Sequence, residues 1–129
     1  MSSENVEVLR GWFWAFENDT EAFRDTLHPE IEWYPIEEDN TPNLGIEAAV
    51  SNRNEWLDTW DSHRFDWEQV AEEGENIVVA VHITASGKAS GVEVDVRFYA
   101  QFKVRDGKVA YIYDHGDREA ALEAVGLQG

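Results

Sequence analysis

The sequence predicts an α+β fold in which helices dominate the first half of the chain and antiparallel strands the second. Two observations carry this prediction. Up to about residue 60 the apolar side chains recur at intervals of three and four, as in an amphipathic helix, and beyond it they alternate with polar ones, as in a strand. Runs of helices followed by runs of strands are typical of α+β proteins. With 129 residues, 43% of them hydrophobic, we expect a single domain over residues 1–129.

Two helices are predicted at the N-terminus. The first covers residues 5–17, with Ser3 as its N-cap and a one-sided apolar face. That face consists of Leu9, Trp12, Phe13 and Phe16. The second covers residues 21–27 and ends before Pro29, because the residue preceding a proline is pushed out of the α region.

A strand and a third helix follow. The strand is predicted at residues 31–36, which are rich in β-branched and aromatic side chains, and a polar loop at 37–42 closes it. The third helix is predicted from residue 45 to residue 60. Its apolar stripe contains Ile46, Ala49, Val50, Arg53, Leu57 and Trp60.

The second half of the chain predicts an antiparallel meander and a last helix. The strands are expected at residues 64–70, 76–86, 92–104 and 108–114, with turns at 73–76, 87–91 and 106–107. The third of these alternates over thirteen residues, which indicates one buried and one wetter face. A short helix at 117–125 would stop at Gly126, a residue suited to a helix C-cap.

Charge and composition narrow the classes of partner. The chain carries 27 Asp and Glu against 10 Lys and Arg, a formal charge of −17, and such a field repels phosphate backbones and anionic lipids. We therefore expect neither nucleic acid nor membrane as a partner. Only three of the ten basic residues are lysines, and such an acidic, lysine-poor composition would keep a protein soluble in concentrated salt. A halophilic source and a merely acidic surface therefore both stay open. The absence of cysteine and of a signal-like N-terminus predicts a cytoplasmic protein.

Three segments carry a family resemblance. They read WFWAFENDTEAFRDTLHPEIEWYP (12–35), GIEAAVSNRNEWLDTW (45–60) and SGVEVDVRFYAQFKVRDGKVAYIYDHGDREAALEAVGL (90–127). Together they resemble the SnoaL-like branch of the nuclear-transport-factor-2-like superfamily. The resemblance implies a strongly curved sheet wrapped around helices as a cone, with a pocket at one end, and a homodimer through the outer face of the sheet. Tyr99 and Tyr113 would lie on that face and suit an interface.

The resemblance also allows the family's chemistries to be compared with these residues. Ketosteroid isomerase uses a carboxylate base with a tyrosine and a protonated aspartate. By alignment, Trp33, Trp12 and Ala100 fill these three positions, so that mechanism is not expected. Limonene-type epoxide hydrolases share Asp114, but their Arg-x-Asp pattern would fall at Val79–Ile83, which reads VAVHI. SnoaL-type polyketide cyclases place an acid/base aspartate near Asp114.

Asp114 is therefore the candidate catalytic residue. If Ala110, Ile112 and Asp114 face inward, the carboxylate lies in an apolar cavity, where desolvation favours its protonated form and suits acid/base work. The alternative is a solvated strand end or a cap for the helix beginning near Asp117. The expected pocket lining, for which an ordinary core is the alternative, is Trp12, Phe16, Trp33, Trp56, Trp60, Ala100 and Ile112.

Metal and cofactor sites are not predicted. The four histidines do not form a pair at helical spacing, and the acidic loop at 37–39 reads as a solvated segment. His28 and His63 are expected in turns, His82 on the outer face of the sheet and His115 in an exposed loop. Three functions stay open: a lyase, isomerase or cyclase using Asp114, a non-catalytic module binding a small hydrophobic molecule, and a structural or dimerisation domain.

Overall fold

The computed structural model describes residues 3–36, 39–87 and 91–127. The polar loop predicted at 37–42 and the turn predicted at 87–91 therefore lie partly outside the described residues. The helices are α1 Glu4–Asn18, α2 Thr20–Asp25, α3 Ile46–Thr59 and α4 Arg118–Ala124. The strands are β1 Leu27–Tyr34, β2 Asn43–Leu44, β3 Trp60–Glu73, β4 Asn76–Gly87, β5 Glu93–Arg105 and β6 Lys108–His115.

The six strands form one curved mixed sheet in the order β2-β1-β6-β5-β4-β3. Strands β3 to β6 are the predicted antiparallel meander, and β1 returns from the helices to pair in parallel with β6. The predicted α+β class, with helices wrapped by a curved sheet, is confirmed.

Three element predictions need correction. Strand β1 begins at Leu27, four residues early, and Pro29 is accommodated because the β1–β6 register shifts between Leu27 and Glu32. Strand β3 runs over Trp60–Glu73 instead of residues 64–70, because pairing with β4 extends it through polar segments that lack alternation. The two-residue strand β2 was not predicted, since two residues carry no periodic signal.

The core lies between the concave face of the sheet and the buried face of α1. Ser3 caps this helix by accepting a hydrogen bond from the Val6 N–H. From the same helix, Phe13 stacks on Trp67 of β3 at 4.7 Å between ring centroids, and Trp12 meets Phe102 of β5 at 5.2 Å. Helix α1 is thus fixed against two strands that stand on opposite sides of β4.

Arg53 is buried where α3 crosses the end of α1. Its side chain is 4% exposed and donates hydrogen bonds to the carbonyl oxygens of Ala15 and Phe16, at 3.2 and 2.8 Å, and to Thr20 Oγ1. Carbonyls at a helix C-terminus lack partners within the helix, so the guanidinium supplies a donor to Phe16 and a second donor to Ala15, whose carbonyl also accepts from the Asp19 N–H at 3.0 Å. Arg53 lies on the predicted apolar stripe of α3, but its contribution is polar, because its hydrogen bonds link α3 to α1.

Candidate functional site

The concave face encloses a cavity of about 210 Å³ between the helices and the sheet. Aromatic and aliphatic side chains make up most of its wall. The lining residues are Trp12, Phe13, Phe16, Trp33, Pro35, Asn52, Trp56, Phe65, Val81, Ile83, Phe98, Ala100, Phe102, Ile112 and Asp114. An apolar wall with a few polar groups is what small-molecule sites normally show.

Asp114 is the only ionisable side chain among the described residues that line this cavity. It faces inward near the end of β6 and is 7% exposed. Its inward direction follows from strand alternation, because Ile112, two residues before it, is also buried and lines the cavity. The expectation that Asp114 points into an apolar cavity agrees with this geometry.

The chain segment after β1 is tied to Asp114. The Ile36 N–H donates to Asp114 Oδ2 at 3.1 Å, which orients the carboxylate. Asn40 Nδ2 donates to the carbonyl oxygens of Tyr34 and Asp114, both at 3.0 Å. One end of the cavity wall is therefore held together through the backbone and side chain of Asp114.

The structure brings together six of the seven residues expected to line the pocket. Trp12, Phe16, Trp33, Trp56, Ala100 and Ile112 all contribute to the wall. Trp60 is not among the lining residues. The backbone becomes extended at Trp60, where β3 begins, and its ring packs against Trp56, at 6.0 Å between centroids, without contributing to the wall.

Several lining residues were not predicted as such. Phe13 and Phe98 both contribute to the cavity wall, although neither was among the residues expected to line it. Phe98 and Phe102 share the parity of Ala100 on β5, so the strand alternation could have identified them. Phe65 and Asn52 offered no comparable signal, because their inclusion depends on how β3 and α3 close around the helices.

A carboxylate–imidazole pair stands beside the aromatic wall. His63 Nε2 lies 3.4 Å from Glu17 Oε1, and the His63 ring contacts Trp56 and Phe65 at centroid distances of 5.5 and 5.6 Å. Burial raises the pKa of Glu17, while the nearby His63 lowers it and Asp66 raises it further. His63 is on β3 rather than in the predicted surface turn.

The remaining histidines make structural contacts. His82 faces outward, as expected, with Nε2 2.9 Å from Asp95 Oδ1. His115 ends β6 instead of lying in an exposed loop, and its Nε2 is 3.1 Å from Gln101 Oε1. Burial lowers the pKa of His115. His28 lies within β1, with its Nδ1 accepting a hydrogen bond from the Glu30 N–H.

The described part of the chain has neither a cluster of metal ligands nor a helix fit to cross a membrane. Across residues 3–36, 39–87 and 91–127, no three His, Asp or Glu side chains converge as metal ligands would. Within the same ranges, no helix combines the length and the apolar character that crossing a bilayer requires.

The chain is an α+β protein whose helices are enclosed by a curved mixed sheet, with an aromatic cavity between the helices and the sheet. The SnoaL-like domain model matches residues 9–112, and the chain therefore belongs to the SnoaL-like domain family. The family resemblance read from the sequence is confirmed. Among curated proteins, no match to the chain is found.

Solved structures share this fold at low sequence identity. TerC, crystallised with polyporic acid, is 21% identical, with 95% of this chain and 98% of TerC covered and a TM-score of 0.75. A nuclear-transport-factor-2-like protein of unknown function from Burkholderia pseudomallei K96243 is 18% identical, with 97% and 99% covered and a TM-score of 0.76. A candidate SnoaL-like polyketide cyclase from Jannaschia sp. CCS1 is 23% identical, with 98% and 94% covered and a TM-score of 0.74. These similarities establish the fold.

Proposed function

We propose that this chain binds a small, mostly apolar molecule in its cavity and that Asp114 acts on that molecule as an acid/base, in an isomerisation, cyclisation or elimination. One observation carries the proposal. A carboxylate that is 7% exposed lines a cavity whose other described lining side chains carry no ionisable group. Carboxylates placed in apolar clefts are candidates for proton transfer.

The chemistry needs a proton acceptor held in one orientation and a substrate whose carbon is made acidic by an adjacent electron-withdrawing group. An ionised Asp114 would take a proton from that carbon and return it to another carbon in an isomerisation, to the oxygen formed on ring closure in a cyclisation, or to the departing oxygen in an elimination. The hydrogen bond from the Ile36 N–H to Oδ2 restrains the carboxylate, which supports such a transfer because proton exchange depends on geometry. Acid–base groups of this kind contribute about 10²- to 10⁴-fold to rate.

The cavity volume limits the size of the molecule. An engineered apolar cavity of about 150 Å³ holds benzene, so about 210 Å³ suits a molecule of one ring with short substituents. TerC, which shares the fold, was crystallised with polyporic acid, and this supports small-molecule binding as the use of the cavity. With Trp33, Trp12 and Ala100 at the aligned positions, steroid isomerisation by a tyrosine and an aspartate is not part of the proposal.

The test compares wild type with Asp114→Asn. A thermal-shift screen of monocyclic ketones, lactones and alcohols would find molecules that bind, and NMR would follow their conversion. Asparagine keeps an oxygen that can accept the Ile36 N–H but cannot take up a proton, so we expect binding to persist and turnover to fall about 10²- to 10⁴-fold. Asp106→Asn is the matched control, since Asp106 is at an exposed turn with φ 53°, which asparagine tolerates.

Each outcome of this comparison distinguishes one of the three functions. Equal turnover by wild type and Asp114→Asn would remove Asp114 from the chemistry. Binding without turnover by wild type would leave a non-catalytic module in which Asp114 orients the ligand. A screen without a single binder would favour a structural or dimerisation domain whose aromatic cavity serves as core.

We also propose that the chain forms a homodimer through the outer face of the sheet. Tyr34, Tyr111 and Tyr113 form a cluster there, with Tyr34 5.6 and 5.4 Å from the other two ring centroids. Lys103 lies over the Tyr111 ring at 5.0 Å. Tyrosines with one apolar side and one hydrogen-bonding tip are enriched at protein interfaces, which supports this face as the contact.

A further inference from the structure

The cavity meets solvent at one part of its wall. Among the described residues that line it, only Asn52, Trp56 and Phe65 are partly exposed, and the others are buried. Asn52 and Trp56 lie about one turn apart on α3, and Phe65 lies on β3. The mouth of the cavity is therefore the gap between α3 and β3.

The sheet register places Asp114 well behind this mouth. Asp114 pairs with Ala100 of β5. Phe65 pairs with Ile83, and Ile83 pairs in turn with Val96 of β5. Val96 precedes Ala100 by four residues, which is about 13 Å along a strand. A molecule that enters between α3 and β3 therefore has to travel that distance to reach the carboxylate.

Aromatic rings from two elements meet at the mouth. Trp56 and Phe65 pack edge to face, with 5.2 Å between ring centroids and 84° between ring planes. The His63 ring contacts both of them, at 5.5 and 5.6 Å, but His63 is not among the described residues that line the cavity. Its Nε2 is 3.4 Å from Glu17 Oε1, so a side chain of α1 holds the imidazole against the two rings.

We propose that Trp56 is the gate of the cavity and that His63 is a positioning residue that holds this gate closed. The inference rests on the proposed binding function. Trp56 has the largest of the three partly exposed side chains in the wall, and it lies in the last turn of α3, where helices open most readily. Opening separates its ring from Phe65 and His63, and each aromatic contact slows that step by roughly two- to tenfold.

A gate changes rates without changing affinity. His63 does not contribute to the described cavity wall, so its loss leaves the contacts of a bound molecule in place and makes opening more frequent. Entry and exit then become faster by the same factor, and the Kd, which is the ratio of their rate constants, is kept. A residue that only supported the wall would change the Kd instead.

The test follows fluorobenzene, a molecule of about the size of benzene, as it exchanges between solution and cavity. Fluorine NMR saturation transfer gives the exit rate constant, and a titration gives the Kd. We expect the rate constants for entry and exit to rise together about three- to tenfold in His63→Ala, while the Kd changes by less than about twofold. His82→Ala is the matched control, because it removes a histidine–carboxylate pair, with Asp95, on the outer face of the sheet. Its rate constants should equal those of wild type.

Two more variants separate the gate from its support. His63→Phe keeps a ring against Trp56 and Phe65 but loses the contact with Glu17, so its exit rate should lie between those of wild type and His63→Ala. Trp56→Ala removes the gate itself and should exchange at least as fast as His63→Ala, which also provides a test if His63→Ala does not fold.

The failure of the gate differs from the failure of cavity binding. Exit from His63→Ala or Trp56→Ala no faster than from His82→Ala would overturn the gate while cavity binding stands. So would a Kd that changes in His63→Ala as much as the rate constants do. If fluorobenzene does not bind wild type, cavity binding itself fails, and this inference with it.

Discussion

Burial and a neighbouring imidazole shift the pKa of the Glu17 carboxyl group in opposite directions. It is partly buried at the end of α1, where burial raises its pKa and the nearby imidazole of His63 lowers it. Because burial is the larger effect, the folded protein holds the Glu17 proton more tightly than the unfolded chain does. The stability linked to this proton is present at low pH and is lost as pH rises through the folded pKa.

The variant Glu17→Gln tests this balance, because glutamine resembles the neutral acid. We expect its melting temperature to exceed that of wild type near pH 7 and the difference to narrow as the pH falls towards the raised pKa of Glu17. Glu55→Gln removes a charge from the exposed surface of α3 and controls for net charge. A Glu17→Gln variant that melts below wild type at about pH 7 would show that the contact with His63 outweighs burial.

At the scale of elements, the junction of α1 and α3 depends on one buried arginine. Arg53 reaches from the middle of α3 to the last turn of α1 and also lies 5.7 Å from the centroid of Phe23 in α2. It therefore joins the three N-terminal helices, of which α1 and α3 contribute side chains to the cavity wall.

Arg53→Met should keep much of the side-chain volume while removing all the hydrogen bonds. The carbonyl oxygens of Ala15 and Phe16 would lose a buried donor, so we expect a loss of about 2–4 kcal/mol in the free energy of unfolding, measured by urea denaturation. Arg64→Met is the control, since Arg64 is exposed on β3 and its pair with Asp66 should contribute less than about 1 kcal/mol. Equal losses in both variants would contradict a special role for Arg53.

At the scale of the whole molecule, net charge and oligomeric state act on each other. Two copies of a chain with a formal charge of −17 repel one another, and salt screens that repulsion. The proposed dimer therefore has to bury enough tyrosine surface to offset it. The cytoplasmic location expected from composition stays a prediction.

Sedimentation velocity tests the dimer. We expect wild type to sediment as a dimer, more completely at high salt, and Tyr113→Glu to sediment as a monomer, because it adds charge within the tyrosine cluster. Trp14→Glu makes the same kind of change on the exposed face of α1, where Trp14 is 57% exposed, and should stay dimeric. A wild-type monomer at every salt concentration would remove this proposal.

Asp114, the start of β1 and Trp60 illustrate which features of this protein could be predicted from the sequence. The inward direction of Asp114 was predictable, because alternation along β6 is a local property of an extended chain. The start of β1 was not predictable, because a proline normally marks the end of a strand. Only the irregular pairing with β6 shows that β1 continues through Pro29. Helical spacing placed Trp60 beside Trp56, and the two rings do lie 6.0 Å apart, but whether Trp60 reaches the cavity depends on how β3 leaves α3.

By itself, the sequence determined the kinds and order of all the elements except β2, together with the acidic composition, because periodicity and composition depend on neighbouring residues. The family followed from the resemblance of three segments of the chain. Only the tertiary structure decided that Phe65 and Asn52 join the cavity wall, that Arg53 ties three helices together and that the His63 ring meets Trp56 and Phe65. These facts depend on sheet curvature and on the register between distant strands, which bring together residues that no local pattern relates.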